Sequence, residues 1–424
     1  MRGALLSAAA ALAPAWYQPR EVWESDVNGI ESIDRGLGGP RLSTLAVHSG
    51  SVFAGAVERR DGPRAADPAL RLTRSQLPAA ARLEERLAAL EGGSAAVSFS
   101  TGVGCLAALL AALLREGDEA IVADADADSR LVRVGRDTAA GRWTLRSTDP
   151  DQPEAVARLV SPRTQAILVS SIADEDGAVA DVTALGEIAR RAQVPLIVDN
   201  TAATPALARP LAAGADAVLH LSAERLGGSS QFGALIDGGT FDWGRSGRYV
   251  LIGEGVAELG GASLTDLAAN FELAAAVRLM AERGYGAPLS KSAAAAVASG
   301  LETLPLRMRR ASESALAVAK YLAGRPEVAN LAYRGLLGDR YHALGLRYSP
   351  EGGGAVMTFG LRGGADAAER FLGSLRLFGG GGNVSHARLS RRPGEAARGA
   401  IRLAVGLEDP ADLIADIAAA LGEG

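Results

Sequence analysis

Asp199 closes the run Pro195-Leu196-Ile197-Val198. A strand there would carry its carboxylate to the end of a sheet, where α/β folds hold ligands. The plainer alternative is an aspartate that caps a turn. Ser100-Thr101-Gly102-Val103 stands ahead of an apolar helical stretch. A hydroxyl residue and a glycine there can cap the helix, or can present backbone N–H groups to an anion such as a phosphate. Arg402, in Ile401-Arg402-Leu403, can grip a carboxylate through two parallel hydrogen bonds or close an interdomain salt bridge. Glu224 and Arg225 follow a further apolar run, Ala217-Val218-Leu219, and Glu224 is a candidate general base.

These residues need a sheet to bring them together, and the pattern predicts one. Residues 83–90 read as a helix stopped by Gly92-Gly93, followed by a strand at 95–99 and a helix at 103–114. Strands are predicted at 120–123, 166–170, 195–198 and 217–219, with a helix at 182–192. Strands alternating with helices indicate a mostly parallel sheet with covered faces. Leu301-Glu302-Thr303-Leu304-Pro305-Leu306-Arg307-Met308 is read as the opening of a long helix. That helix leads into a second α/β unit with strands at 354–360 and 400–405.

Composition excludes several classes. With 48% hydrophobic and only 4% aromatic residues, the core must be built mainly from Ala, Leu, Val and Ile. A net charge of -5 and dispersed arginines give no case for nucleic acid. The lone cysteine, Cys105, forbids an intrachain disulfide and fits a reducing compartment, and four scattered histidines suggest no metal site. The start, Met1-Arg2-Gly3-Ala4-Leu5-Leu6-Ser7, has too short an apolar part to predict export. No later run is long enough to span a bilayer. Only two of the 44 basic residues are lysines, Lys291 and Lys320, and neither follows a predicted strand.

The segment His220-Leu221-Ser222-Ala223-Glu224-Arg225-Leu226-Gly227-Gly228-Ser229 resembles the cofactor segment of the Cys/Met-metabolism family of pyridoxal-phosphate (PLP) enzymes. His-Ser-x-Thr-Lys-Tyr-x-Gly-Gly-His is typical there. Thr44-Leu45-Ala46-Val47-His48-Ser49-Gly50, Leu87-Ala88-Ala89-Leu90-Glu91-Gly92-Gly93 and Val198-Asp199-Asn200-Thr201-Ala202-Ala203-Thr204-Pro205 are similar to family segments. So are residues 300–308 and 401–409. Phe241-Asp242-Trp243 with Ser246-Gly247-Arg248-Tyr249 resembles the O-acetylhomoserine sulfhydrylase branch. The resemblance implies the fold-type-I PLP-transferase architecture, an α/β fold with a mostly parallel central sheet, covering helices and a smaller C-terminal α/β domain. It divides the chain into an N-terminal extension (1–40), a shortened arm (41–82), a large PLP-type domain (83–285) and a small domain (286–424).

The resemblance also assigns roles. Asp199 would pair with the PLP ring nitrogen, with Thr201 beside it. Thr101, Gly102 and Val103 would cradle the phosphate. Arg74 would reach across a dimer interface, and Arg402 would clamp the substrate carboxylate. The family lysine that holds PLP as a Schiff base appears as Glu224, and a carboxylate cannot form that bond. Two phosphate-binding hydroxyls appear as Leu221 and Ala223, a tyrosine before Arg74 as Leu72, a ring-stacking tyrosine as Asp128 and a serine as Leu389. The segments between His48 and Arg74 and around 388–398 are shortened. Glu224 beside Asp199 would put two carboxylates in a partly buried site, so one is expected to be protonated or paired with Arg225. The losses predict a degenerate homologue without Schiff-base chemistry, acting as a scaffold or partner subunit and holding PLP non-covalently or not at all. The alternative is an altered enzyme of sulfur amino-acid metabolism with PLP or another ligand bound non-covalently. Either would be a cytoplasmic homodimer or tetramer, or a heteromer with an active paralogue, with no metal, nucleic acid or membrane.

Overall fold

The computed structural model describes residues 75, 77–124, 129–139, 142–150, 152–228, 231–391 and 399–422. The N-terminal extension, most of the arm with Arg74, Asp128, and much of the shortened loop after Arg388 lie outside the described residues.

Seven strands form the first sheet: β1 (Ala95–Phe99), β2 (Glu119–Ala123), β3 (Thr144–Thr148), β4 (Thr164–Ser170), β5 (Leu196–Asp199), β6 (Ala217–His220) and β7 (Gly233–Asp237). Their order is β1-β7-β6-β5-β4-β2-β3. Only β7 runs against the others, since it pairs antiparallel with both β1 and β6. Strands β2, β5, β6 and β7 are buried along their whole length. That is why their sequences read as unbroken apolar runs: both faces of the sheet are covered. On one face Leu106, Leu109 and Leu110 pack with Ala275 and Val277. On the other, Leu185, Ile188 and Ala189 pack with Ile167, Val169 and Val198.

The helices that matter for the site are α1 (Pro78–Glu91), α2 (Gly102–Leu113), α3 (Arg130–Ala139), α4 (Val182–Ala192), α5 (Glu272–Glu282), α6 (Lys291–Glu302) and α7 (Leu304–Ala323). A second sheet, β8 (Val328–Ala332), β9 (Val356–Leu361), β10 (His386–Leu389) and β11 (Ile401–Ala404), has the order β10-β11-β9-β8. It is antiparallel throughout. Its own core gathers Phe359, Phe371, Leu403, Leu413 and Ile417.

The reading of Leu301–Met308 as a single helix opening is corrected. Leu301 and Glu302 end α6, Thr303 breaks the chain, and α7 begins at Leu304 with Pro305 in its first turn, where a missing N–H costs little. The break lets Gly300 meet the backbone of Leu226 and Gly227; a Cβ on Gly300 would stand 2.3 Å from the Leu226 carbonyl oxygen. Among the described residues no helix is long and apolar enough to cross a membrane, and no cluster of His, Cys, Asp and Glu could hold a metal ion.

Asp237, at the end of β7, is buried and accepts from the backbone N–H groups of Ala274 and Gly239, both at 2.9 Å. Burial still pushes its pKa up from 3.8 to about 6. A raised folded-state pKa gives stability that is full below about pH 4 and lost as pH rises through 6, here by about 3 kcal/mol at most. Urea unfolding at pH 4 and pH 7 should therefore show wild type losing that amount relative to Asp237→Asn. Equal differences at the two pH values would refute it.

Candidate functional site

The parallel strands of the first sheet end on one side, and acidic residues stand there: Asp124 after β2, Asp174 and Glu175 after β4, Asp199 at the end of β5, and Glu224 after β6. Arginines face them from the second sheet: Arg388 on β10, Arg402 on β11, and Arg391 just beyond. Between the two lies a cavity of about 440 Å³.

Asp199 is held by its neighbour. One carboxylate oxygen accepts from the Thr201 N–H at 2.9 Å and from the Thr201 hydroxyl. The same hydroxyl oxygen accepts from the Leu221 N–H at 2.8 Å, which joins the ends of β5 and β6. A buried polar network lies beneath. Asn200 donates to Glu91 at 2.8 Å and to the Ala208 carbonyl at 2.9 Å, and accepts from Ser171 at 2.8 Å. His220 Nε2 meets the same Glu91 oxygen at 2.8 Å, with both side chains fully buried. These bonds tie α1, β5 and β6 together, although the second Glu91 oxygen and His220 Nδ1 are buried without a hydrogen-bond partner.

The loop after β4 ties the two sheets together. Arg402 donates from Nη2 to Asp174 at 2.7 Å and from Nε to the Asp174 carbonyl at 2.5 Å. Arg388, directly across the strand pair from Arg402, grips both oxygens of Glu175 at 3.1 and 2.5 Å. Ser390 and the Arg391 N–H add bonds at 2.9 and 2.6 Å. Burial raises the Glu175 pKa, but these hydrogen bonds and the Arg388 charge outweigh it and hold the carboxyl below its ordinary value. His386 is pushed the opposite way from protonation, by burial first and then by Arg402, Arg388 and Arg391.

The cavity thus brings together Asp199, Thr201, Glu224 and Arg402. Thr101, Gly102, Val103 and Leu389 do not line it. Thr101 uses its hydroxyl to cap α2, accepting from Gly104 N–H at 3.0 Å. Gly102 backs onto the next segment, where a Cβ would stand 2.2 Å from the Leu221 carbonyl oxygen. Val103 is half exposed, at 51%. Leu221 and Ala223 are fully buried and apolar. Lys291 and Lys320 are exposed on α6 and α7, and among the described residues no primary amine lines the cavity.

One expectation is overturned. Glu224 does not share a partly buried site with Asp199, because its side chain is exposed. Arg225 beside it feels the charge of Asp174 more strongly than that of Glu224. The sequence alone did not single out Asp174, Glu175, Arg388 or the Glu91–His220–Asn200 network. The acidic run Asp174-Glu175-Asp176 directly after a strand was the available signal for the first two.

The profile of the Cys/Met metabolism PLP-dependent enzyme family matches residues 43–422. O-acetyl-L-homoserine sulfhydrylase 1 of Thermus thermophilus is 35% identical over 368 residues, covering 80% of this chain and 85% of that protein. Cystathionine gamma-synthase of Mycobacterium tuberculosis is 31% identical over 415 residues, covering 92% and 98%. Among solved structures, a Campylobacter jejuni protein described as an O-acetylhomoserine (thiol)-lyase superposes with a TM-score of 0.76 at 25% identity, covering 82% and 87%. That structure carries N'-pyridoxyl-lysine-5'-monophosphate.

Thr201→Val removes the hydroxyl that bridges Asp199 and the Leu221 N–H. It should lower stability by about 1–3 kcal/mol, the cost of stranding buried partners, read as a reduced urea midpoint. An unchanged midpoint would show that the bridge carries no weight.

Proposed function

The chain belongs to the Cys/Met metabolism PLP-dependent enzyme family, and from that footing we propose that it is a member without Schiff-base chemistry, acting as a scaffold or partner subunit. The observation that carries the reading is the cavity lining: it holds Asp199 and Glu224 but no lysine. An imine needs a primary amine within reach of the aldehyde, and a carboxylate at that place cannot supply it.

PLP fits these residues poorly. When bound, the cofactor supplies an electron sink, and Asp199 is a suitable partner for its ring nitrogen. For the phosphate end the lining offers Ser129, Arg133, Ser222 and Arg225, while the positions the family resemblance points to are unsuited. Leu221 and Ala223 offer no hydroxyl, the Thr101 hydroxyl is engaged as a cap, and the start of α2 does not line the cavity.

A second reading keeps a ligand. The Thr201-supported Asp199 borders a roomy cavity, which favours non-covalent binding of PLP or another small molecule in an altered enzyme of sulfur amino-acid metabolism. On the first reading the working assembly is a homodimer or tetramer, or a heteromer with an active paralogue.

Calorimetric titration of the purified protein with PLP separates the two. The partner-subunit reading expects no saturable heat. Binding at micromolar strength or tighter would overturn it in favour of the ligand-binding reading. Failure to bind or stimulate an active homologue would remove the heteromer and leave the homo-oligomeric scaffold.

A further inference from the structure

Arg402 is 5% exposed, and one edge of its guanidinium is already consumed by its own chain: Nε by the Asp174 carbonyl and Nη2 by the Asp174 carboxylate. The Asp174 side chain itself is 72% exposed at the cavity edge, so it was not forced onto Arg402 by burial. The neighbouring arginine is treated likewise, for Glu175 fills the Arg388 fork. Two consecutive carboxylates of one loop therefore meet two cross-strand guanidinium groups on the opposite wall.

We propose that Asp174 is a specificity-determining residue, an internal carboxylate that occupies Arg402 and bars a ligand's free carboxylate from that wall of the cavity. The inference rests on the reading of Arg402 as a carboxylate-binding arginine and deepens the proposed function by naming the ligand class excluded. An intramolecular partner acts at a high effective concentration, so a dissolved carboxylate must exceed that concentration or bring further contacts to displace it. The bidentate geometry that would favour a ligand carboxylate is the geometry Asp174 copies, with its carbonyl standing in for the second oxygen. Glu175 reinforces the arrangement by holding the same loop against β10 through Arg388, Ser390 and the Arg391 N–H. The ligands that remain admissible at this wall are amines or neutral groups.

The test compares L-norvaline with L-norvalinamide, which share an amine and a side chain and differ in the carboxylate. Calorimetric titrations are run on the full chain without added PLP, so the outcome is independent of whether PLP binds. Wild type should bind norvaline no more tightly than norvalinamide. Asp174→Ala should bind norvaline at least about tenfold more tightly than wild type, as expected for a freed charge-assisted pair, with norvalinamide unchanged. The gain should vanish in Asp174→Ala/Arg402→Gln. Asp174 is itself exposed, so its removal opens no cavity; it does strip a carboxylate from the buried Arg402, and circular dichroism of each variant checks that the fold survives. The proposal is overturned if wild type already prefers norvaline, if Asp174→Ala gains nothing, or if the gain survives in the double variant.

Discussion

Two arginines on adjacent strands of the small sheet hold one acidic loop of the large sheet, and the cavity exists in its present form because of that grip. Asp174–Arg402 and Glu175–Arg388 set how closely the β10–β11 wall approaches the strand ends that carry Asp199 and Glu224. Removing either member of the buried Glu175–Arg388 pair would leave a charge without its partner in a half-dry setting, which costs more than the pair gains. The same contacts neutralise the cationic wall from within. Of the five arginines that line the cavity among the described residues, Arg388 and Arg402 are held by its own carboxylates.

Gly102 against Leu221, Gly300 against Leu226, and the Thr201 bridge between β5 and β6 are close backbone approaches that fix the ends of the parallel strands. Substitution at such points would move the sheet itself. Glu224 is different: exposed at the cavity rim, it can vary without disturbing a packed neighbour.

Much of this was legible in the sequence. Strands β1, β5, β6 and helix α4 stand close to where apolar runs and caps placed them, because burial on both faces leaves a simple signature. Strand β3 at the edge, with its mixed exposure, carries no such run. Strand β7 is short, and its antiparallel direction is not written in its composition. The break at Thr303 did have a local signal in Pro305, which favours the first turn of a new helix over the interior of an old one. At the site, Asp199 could be placed from its position after a strand, whereas the partners of Arg402 and Arg388 sit 228 and 213 residues away in sequence. No local pattern announces a contact of that range, nor the exposure of Glu224, which depends on where the Gly380–Gly382 segment passes.

The most direct test of the central claim is chemical trapping. The purified protein is incubated with PLP, reduced with sodium borohydride, digested and examined by mass spectrometry. The account predicts no stoichiometric pyridoxyl adduct on Lys291 or Lys320, the only lysines in the chain. A stoichiometric adduct on either would show that an imine forms after all, and that the scaffold retains a reactive amine the cavity geometry does not reveal.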